Sequence, residues 1–421
     1  MGRTTRGSQD RFRPRPVERL EVDGDAVSKG RLAVVLILAA VGVSFLVYSA
    51  AQLLIPQPGW QTVQAAGLSS GSDFSFLYNS SSSKEGKGVK DVYTRACQVS
   101  YQLFNSGEEF EGVRNLASIN RHPNEALEVE GALYEALEAF AERGRRELYL
   151  GPIYERYEGL FTCEDDSQLA YYDPSLSEEV RKEYDEVLFF ANDPQAIDLE
   201  FLGEGRVRLK VSPEYLAWAK ERGVTRFLDF FWMKNAFVAD YLARELIAAG
   251  YTKGTLSSCD GFFRTLDGSG MDYTYTVHHR QADGICPAAN LHYQGPMSIV
   301  RMRDFPLNER DLLYYRALPG GEMRSCYLDP ADALCKSAVD NLICYDREMG
   351  CAQLLLEMIP VYITGEPFGR EEAAALAAKG VDAVFCEDSV VCYTDPQAVL
   401  TDLMDLTEEG GVRYTAELVR P

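Results

Sequence analysis

The side chains best equipped for chemistry in this chain are its carboxylates, its ten cysteines and its four histidines. His278 and His279 are adjacent, so in an extended segment they point to opposite faces, which suits one buried and one exposed ring rather than a chelating pair. The run Glu164-Asp165-Asp166 reads as solvated surface, with calcium binding by hard oxygen donors as the alternative. The cysteines (Cys97, Cys163, Cys259, Cys286, Cys326, Cys335, Cys344, Cys351, Cys386 and Cys392) include no Cys-x-x-Cys pair and no zinc-ligand spacing. They read as buried thiols with one or two bridged pairs. Phosphate loops of the usual spacings, Gly-x-Ser-x-Gly, His-Glu-x-x-His and calcium-loop signatures are absent. Two acids also admit a reading that needs no ligand: Asp240 falls in the first turn of the helix predicted from Val238, beside its dipole, and Asp329 precedes Pro330 in a turn pair.

The elements that position these groups follow from apolar periodicity. Strands are predicted at Cys97–Phe104, Arg206–Val211, Arg226–Phe231, Thr255–Ser258, Tyr273–His278, Ser298–Arg303, Ala338–Tyr345, Ile359–Thr364, Ala383–Cys386 and Val390–Tyr393. Helices are predicted over Ala126–Arg143, Val238–Ala249, Arg370–Lys379 and Pro396–Leu406, and Ser212-Pro213-Glu214 opens another with a cap residue and a first-turn proline. Hairpin-like strand pairs without an intervening helix argue for a mixed α/β or α+β domain rather than a doubly wound parallel sheet.

With 64 Asp and Glu against 42 Lys and Arg, the formal charge is −22, which repels phosphate backbones and excludes nucleic-acid binding. The basic residues are unevenly placed. Residues 1–31 carry Arg3, Arg6, Arg11, Arg13, Arg15, Arg19, Lys29 and Arg31, and the uncharged run from Leu32 to Ile55 is long enough to cross a ~30 Å hydrocarbon core. The positive-inside rule then puts a basic tail, 1–31, in the cytoplasm, a transmembrane helix at 32–55, and everything after it outside. A cleavable signal peptide is the competing expectation, since Val63-Gln64-Ala65 resembles a cleavage site. The Ser/Gly-rich stretch within residues 56–88 reads as a flexible tether, leaving 89–421 as the extracytoplasmic domain.

Several short blocks occur in a telling order. Asn115-Leu116-Ala117-Ser118-Ile119-Asn120 is followed by Leu150-Gly151-Pro152-Ile153, then by the stretch from Leu228 through Lys234 to Asp240. Next come Ser257-Ser258-Cys259-Asp260-Gly261, Tyr327-Leu328-Asp329-Pro330 and Gly350-Cys351-Ala352-Gln353-Leu354-Leu355. This succession resembles the FAD:protein FMN transferases, the ApbE family, over roughly Cys97 to Tyr393. The resemblance implies an FAD site with magnesium, and transfer of FMN through its phosphate to a Thr or Ser of an acceptor protein. Such chemistry rests on positioning and on neutralising the diphosphate. It implies cofactor-binding roles for Lys234, Asp240, Asp260 and Asp329.

The same comparison marks departures. The family's Gly-Gly before its lysine falls on Phe230-Phe231-Trp232, and the Phe-Asp-Pro-Thr block falls on Arg146, Glu147, Leu148 and Tyr149. The helix start that offers magnesium an Asp and a Thr here offers Cys351 and Leu355; Leu has no donor atom, and Cys is too soft for Mg²⁺. Glu348, one turn earlier, is the nearby carboxylate that could substitute as a metal ligand. The expectation is a membrane-anchored, extracytoplasmic flavin-transferase-like protein with altered or lost magnesium-dependent transfer. The alternative is a non-catalytic protein that binds a ligand, or a protein or membrane partner, on the same scaffold.

Overall fold

The computed structural model describes residues 59–66, 74–267, 270–281, 284–407 and 411–420. The expected cytoplasmic tail and membrane span, 1–31 and 32–55, lie outside the described residues. Among the described residues, no helix is long and apolar enough to cross a membrane.

A nine-stranded sheet organises the domain, in the order Gly59–Val63, Phe74–Ser80, Gly254–Ser258, Phe262–Thr265, Met297–Arg303, Asn341–Asp346, Asp382–Glu387, Val390–Tyr393 and Thr415–Leu418. Every neighbouring pair is antiparallel except the last, which is parallel. Its central strands are apolar at successive positions because both faces are covered. Val300, Met302, Leu342, Cys344, Ala383 and Phe385 face the main core. The residues between them, Ile299, Ile343 and Val384, join a second core under the long hairpin of Asp272–Gln281 and Gly284–Gln294. Over the main-core face lie the helices Ser83–Leu103, Lys234–Ala248 and Cys351–Tyr362. A small sheet of Ala126–Glu128, Ile197–Gly203 and Arg206–Val211 stands beside them. The mixed α/β expectation holds.

Several expected elements are corrected. The stretch read as a tether supplies two strands of the main sheet and starts a helix. In Phe74–Ser80 the buried residues alternate, Phe74, Phe76, Tyr78 and Ser80 facing in, a period-2 pattern hidden among serines. Ser82 is the N-cap of the helix that follows, its side chain accepting from the Glu85 amide. Cys97–Phe104 is not a strand but the end of that 21-residue helix. Its inward residues Val89, Tyr93, Ala96, Cys97, Ser100 and Leu103 keep helical spacing only when the whole length is seen. Ile359–Thr364 belongs to the end of the Cys351–Tyr362 helix, where burial overrides β-branched preference. Pro396–Leu406 forms no helix; Val399–Thr401 pairs with the hairpin instead. None of the ten cysteines is in a disulfide.

Burial also sets a pH dependence. Asp304 is pushed up to about 6, first by desolvation and then by Asp340, with Arg280 opposing. A carboxyl whose folded pKa exceeds its unfolded value holds its proton more tightly when folded, so its contribution is full below about pH 4 and is lost as pH rises to about 6. Asp304→Asn is expected to unfold at higher urea than the unaltered chain near pH 7.5, with the gap closing near pH 4. A gap that stays constant across that range would contradict this account.

Candidate functional site

The strand predicted at Arg226–Phe231 does not form: residues 226–230 are irregular, and Phe230 is already in the right-handed helical region (φ −76°, ψ −26°). Side chains hold this stretch in place. Asn120, near the end of the Leu116–Arg121 helix, accepts from the Leu228 amide (2.8 Å) and donates through Nδ2 to the Leu228 carbonyl (2.9 Å). The Asp229 amide donates to the Leu148 carbonyl (3.0 Å). Gly151 opens the next helix so close to Arg226 and Phe227 that a Cβ there would collide with their backbone. Three blocks far apart in sequence are thereby brought to one place. At Phe231 the backbone turns with φ +42°, in the left-handed region that favours glycine. Asp229 holds that turn, accepting the Phe231 amide at Oδ1 (2.8 Å) and Ser106 Oγ (2.8 Å) and Arg226 Nη1 (3.1 Å) at Oδ2.

A cleft of about 240 Å³ opens against this turn, its wall including Phe231, Lys234, Asn235, Glu158, Arg226 and Asp229. Two cations face two carboxylates. Arg226 lies 3.6 Å from Glu158 as well as bonding Asp229. The Glu158 carboxyl is held above its ordinary range, first by desolvation and then by Asp229, with Arg226 and Lys234 opposing. Phe230 and Trp232 are core residues: Phe230 packs edge-on to Phe104 and Phe140, and Trp232 edge-on to Tyr327. Phe231 alone of the three lines the cleft. Arg226, Asp229 and Glu158 were not singled out in the sequence; the Arg-x-x-Asp spacing of Arg226 and Asp229 is the local signal that could have flagged them.

Farther along the same helix, Asn235 Nδ2 donates to Asp260 Oδ2 (2.8 Å). Asp240 reaches the start of the Cys351–Tyr362 helix, where Oδ1 accepts the Cys351 amide (2.8 Å) and Oδ2 the Ala352 amide (2.9 Å). Desolvation pushes its carboxyl up, against those amides, Arg264 and Arg244. Gly350 is required there, since a Cβ would run into the Asp240 carboxylate. Cys351 and Leu355 are fully buried, and burial holds the Cys351 thiol well above its usual range while Sγ contacts the Phe263 carbonyl (3.4 Å). Glu348 projects outward and is exposed, because Asp346 Oδ1 accepts the Glu348 (2.7 Å) and Met349 (2.6 Å) amides and fixes the turn. Asp329 is engaged in its own turn, with Oδ1 on the Ala331 amide (2.8 Å) and Oδ2 on Lys336 Nζ (2.7 Å). The structure thus joins Lys234 and Asn235 to the cleft, Asp260 to Asn235, and Asp240 to the helix start.

Compared with solved structures, the chain superposes on the ApbE protein of Thermotoga maritima with a TM-score of 0.52 at 14% identity, covering 85% of this chain and 97% of that one. The flavin transferase ApbE from Vibrio cholerae aligns with a TM-score of 0.50 at 11% identity, over 81% of this chain and 96% of that one. The fold is that of the ApbE flavin transferases. No family sequence model matches the chain, and no curated protein matches it in sequence.

On this ApbE fold, the residues present do not fit magnesium. The positions that the resemblance matches to the family's donors hold a buried thiol and a leucine, and each Asp240 oxygen already accepts an amide. Among the described residues, no group of three or more His, Cys, Asp or Glu side chains is placed to hold a metal ion. Asp240 therefore acts as a cap. Asp240→Ala is expected to cost about 1–3 kcal/mol in urea unfolding, by orphaning two buried amides. Millimolar magnesium is expected to leave the melting temperature of the unaltered chain where it is; a magnesium-dependent rise abolished by Asp240→Ala would make Asp240 a ligand instead.

Proposed function

We propose that this protein is a membrane-anchored, extracytoplasmic protein of the ApbE fold that has lost magnesium-dependent FMN transfer and serves as a ligand- or partner-binding module. The observation that carries the reading is the pairing of a spent Asp240 carboxylate with buried Cys351 and Leu355 where the family's metal donors belong. The cleft supports it too. At about 240 Å³ it is below the ~300–1,000 Å³ of sites for drug-sized ligands, and its two cations are matched by two carboxylates, a poor receptor for the diphosphate of FAD. The membrane anchor rests on the uncharged Leu32–Ile55 run and the basic residues ahead of it.

The full chain in lipid nanodiscs, incubated with FAD, Mg²⁺ and an acceptor protein offering a Thr, is expected to yield no covalent flavin by in-gel fluorescence. Calorimetry with FAD is expected to show no binding. Covalent labelling that disappears in Glu348→Ala would overturn the reading and make the protein a transferase with a relocated metal ligand.

A further inference from the structure

A second cavity, of about 690 Å³, lies on another face of the Lys234–Ala248 helix from the cleft just described. Where Lys234, Asn235 and Val238 face the cleft, Phe237, Asp240, Tyr241 and Arg244 face the cavity, and Phe104 walls both. The Gly131–Glu142 helix forms the opposite wall, and its alanines at 132, 136 and 139 leave the space that larger side chains would fill. The volume falls inside the ~300–1,000 Å³ range of small-molecule sites.

The charges around this space run against the chain as a whole. In a protein of net charge −22, three guanidinium groups from three separate elements meet here: Arg143, Arg244 and Arg264. Two carboxylates share the lining. Asp240 accepts the Cys351 and Ala352 amides and is attracted by Arg264 and Arg244, and Glu135 accepts from Arg244 Nη1 (2.8 Å), so the lining carries one more cation than carboxylate. Arg264 donates through Nη1 to a neutral acceptor, the Met349 carbonyl (2.8 Å), and Arg143 to the Ala139 carbonyl (3.3 Å), with Glu357 3.5 Å away. The floor is apolar and aromatic, with Phe104, Phe237 and Leu356. A polar rim of guanidinium groups over such a floor matches a molecule with one anionic group and a flat or aliphatic body. A polyanion would outrun the positive charge available, and a neutral solute would leave it unused.

We infer that this cavity is a binding site for a small amphipathic monoanion, a carboxylate, sulfonate or phosphate ester on an apolar body, held by Arg264 and Arg244. The site goes beyond the proposed function: Asp240, Gly350, Ala352 and Gln353 line it, but Lys234, Asp260, Asp329, Glu348, Cys351 and Leu355 do not.

The probe is 2-naphthoate, with 2-naphthylmethanol as its uncharged counterpart, titrated calorimetrically into the full chain in nanodiscs against empty nanodiscs. One naphthoate is expected to bind per chain, with the alcohol at least about tenfold weaker. Arg264→Gln and Arg244→Gln are each expected to weaken naphthoate about five- to tenfold, the range of one lost charge-assisted hydrogen bond. Ala139→Phe is expected to abolish binding by filling the space. Equal affinity for acid and alcohol, undiminished affinity in Arg244→Gln, or no binding at millimolar probe would overturn the assignment. Arg244 is exposed, so that variant decides the matter even where Ala139→Phe disturbs the fold. Flavin transfer, if found in the separate assay, would leave these outcomes unaffected.

Discussion

Two helices that cover the sheet, Lys234–Ala248 and Cys351–Tyr362, meet through the Asp240 carboxylate, and the rest of the site follows from that contact. A helix start leaves backbone amides without partners, and Gly350 in the cap position has no side chain to offer them. Asp240 supplies both oxygens from outside the helix. Desolvation opposes the arrangement, since it favours the protonated acid, but two amides at the positive end of a helix oppose desolvation in turn. Displacing the carboxylate toward a cation would strand those amides in the interior. The positions of Cys351 and Leu355 are set by the same contact, which fixes the helix start above the sheet and turns their side chains into the core.

The cleft on the neighbouring face is shaped by a backbone path that its surroundings impose. The path through residues 226–231 is imposed from outside, by the two Asn120 hydrogen bonds, the Leu148 carbonyl and the close approach of Gly151. Phe231 therefore adopts φ +42° at a cost of order 1–2 kcal/mol that a glycine would not incur. Its ring is supported by Tyr154 at 5.0 Å, and it occupies wall space where a bare backbone would let a ligand approach. The strain is thus a consequence of holding a phenylalanine in a turn that its surroundings impose.

Much of this was legible in the sequence, and the failures have physical causes. Arg206–Val211 and Val390–Tyr393 form with the predicted bounds, because alternation there coincides with a sheet that buries the apolar set. Ser212 caps the helix that begins at Pro213, since both residues act locally. Cys97–Phe104 and Ile359–Thr364 failed because short apolar windows fit either period, and only the flanking residues reveal the helix. The order of short blocks carried the fold, yet the cleft's Glu158, Arg226 and Asp229 went unmarked because their meaning lies in contacts across the fold. Arg143, Arg244 and Arg264 are more extreme: each sits in an ordinary local context, and only the packing of two helices and a strand brings them to one cavity.

The electrostatics of the two cavities divide the molecule's capacity to bind charge. A net charge of −22 repels anions at long range and slows their approach, but salt screens that field beyond about 8 Å under physiological conditions. Within that distance local groups decide. In the cleft, cations and carboxylates alternate and cancel, so charge there mainly fixes the Phe231 turn. In the larger cavity, Arg143, Arg244 and Arg264 outnumber the lining carboxylates Glu135 and Asp240 by one. Asp240 faces this cavity while its oxygens accept the Cys351 and Ala352 amides, so the carboxylate that joins the two helices also tempers the positive charge of the space beside them.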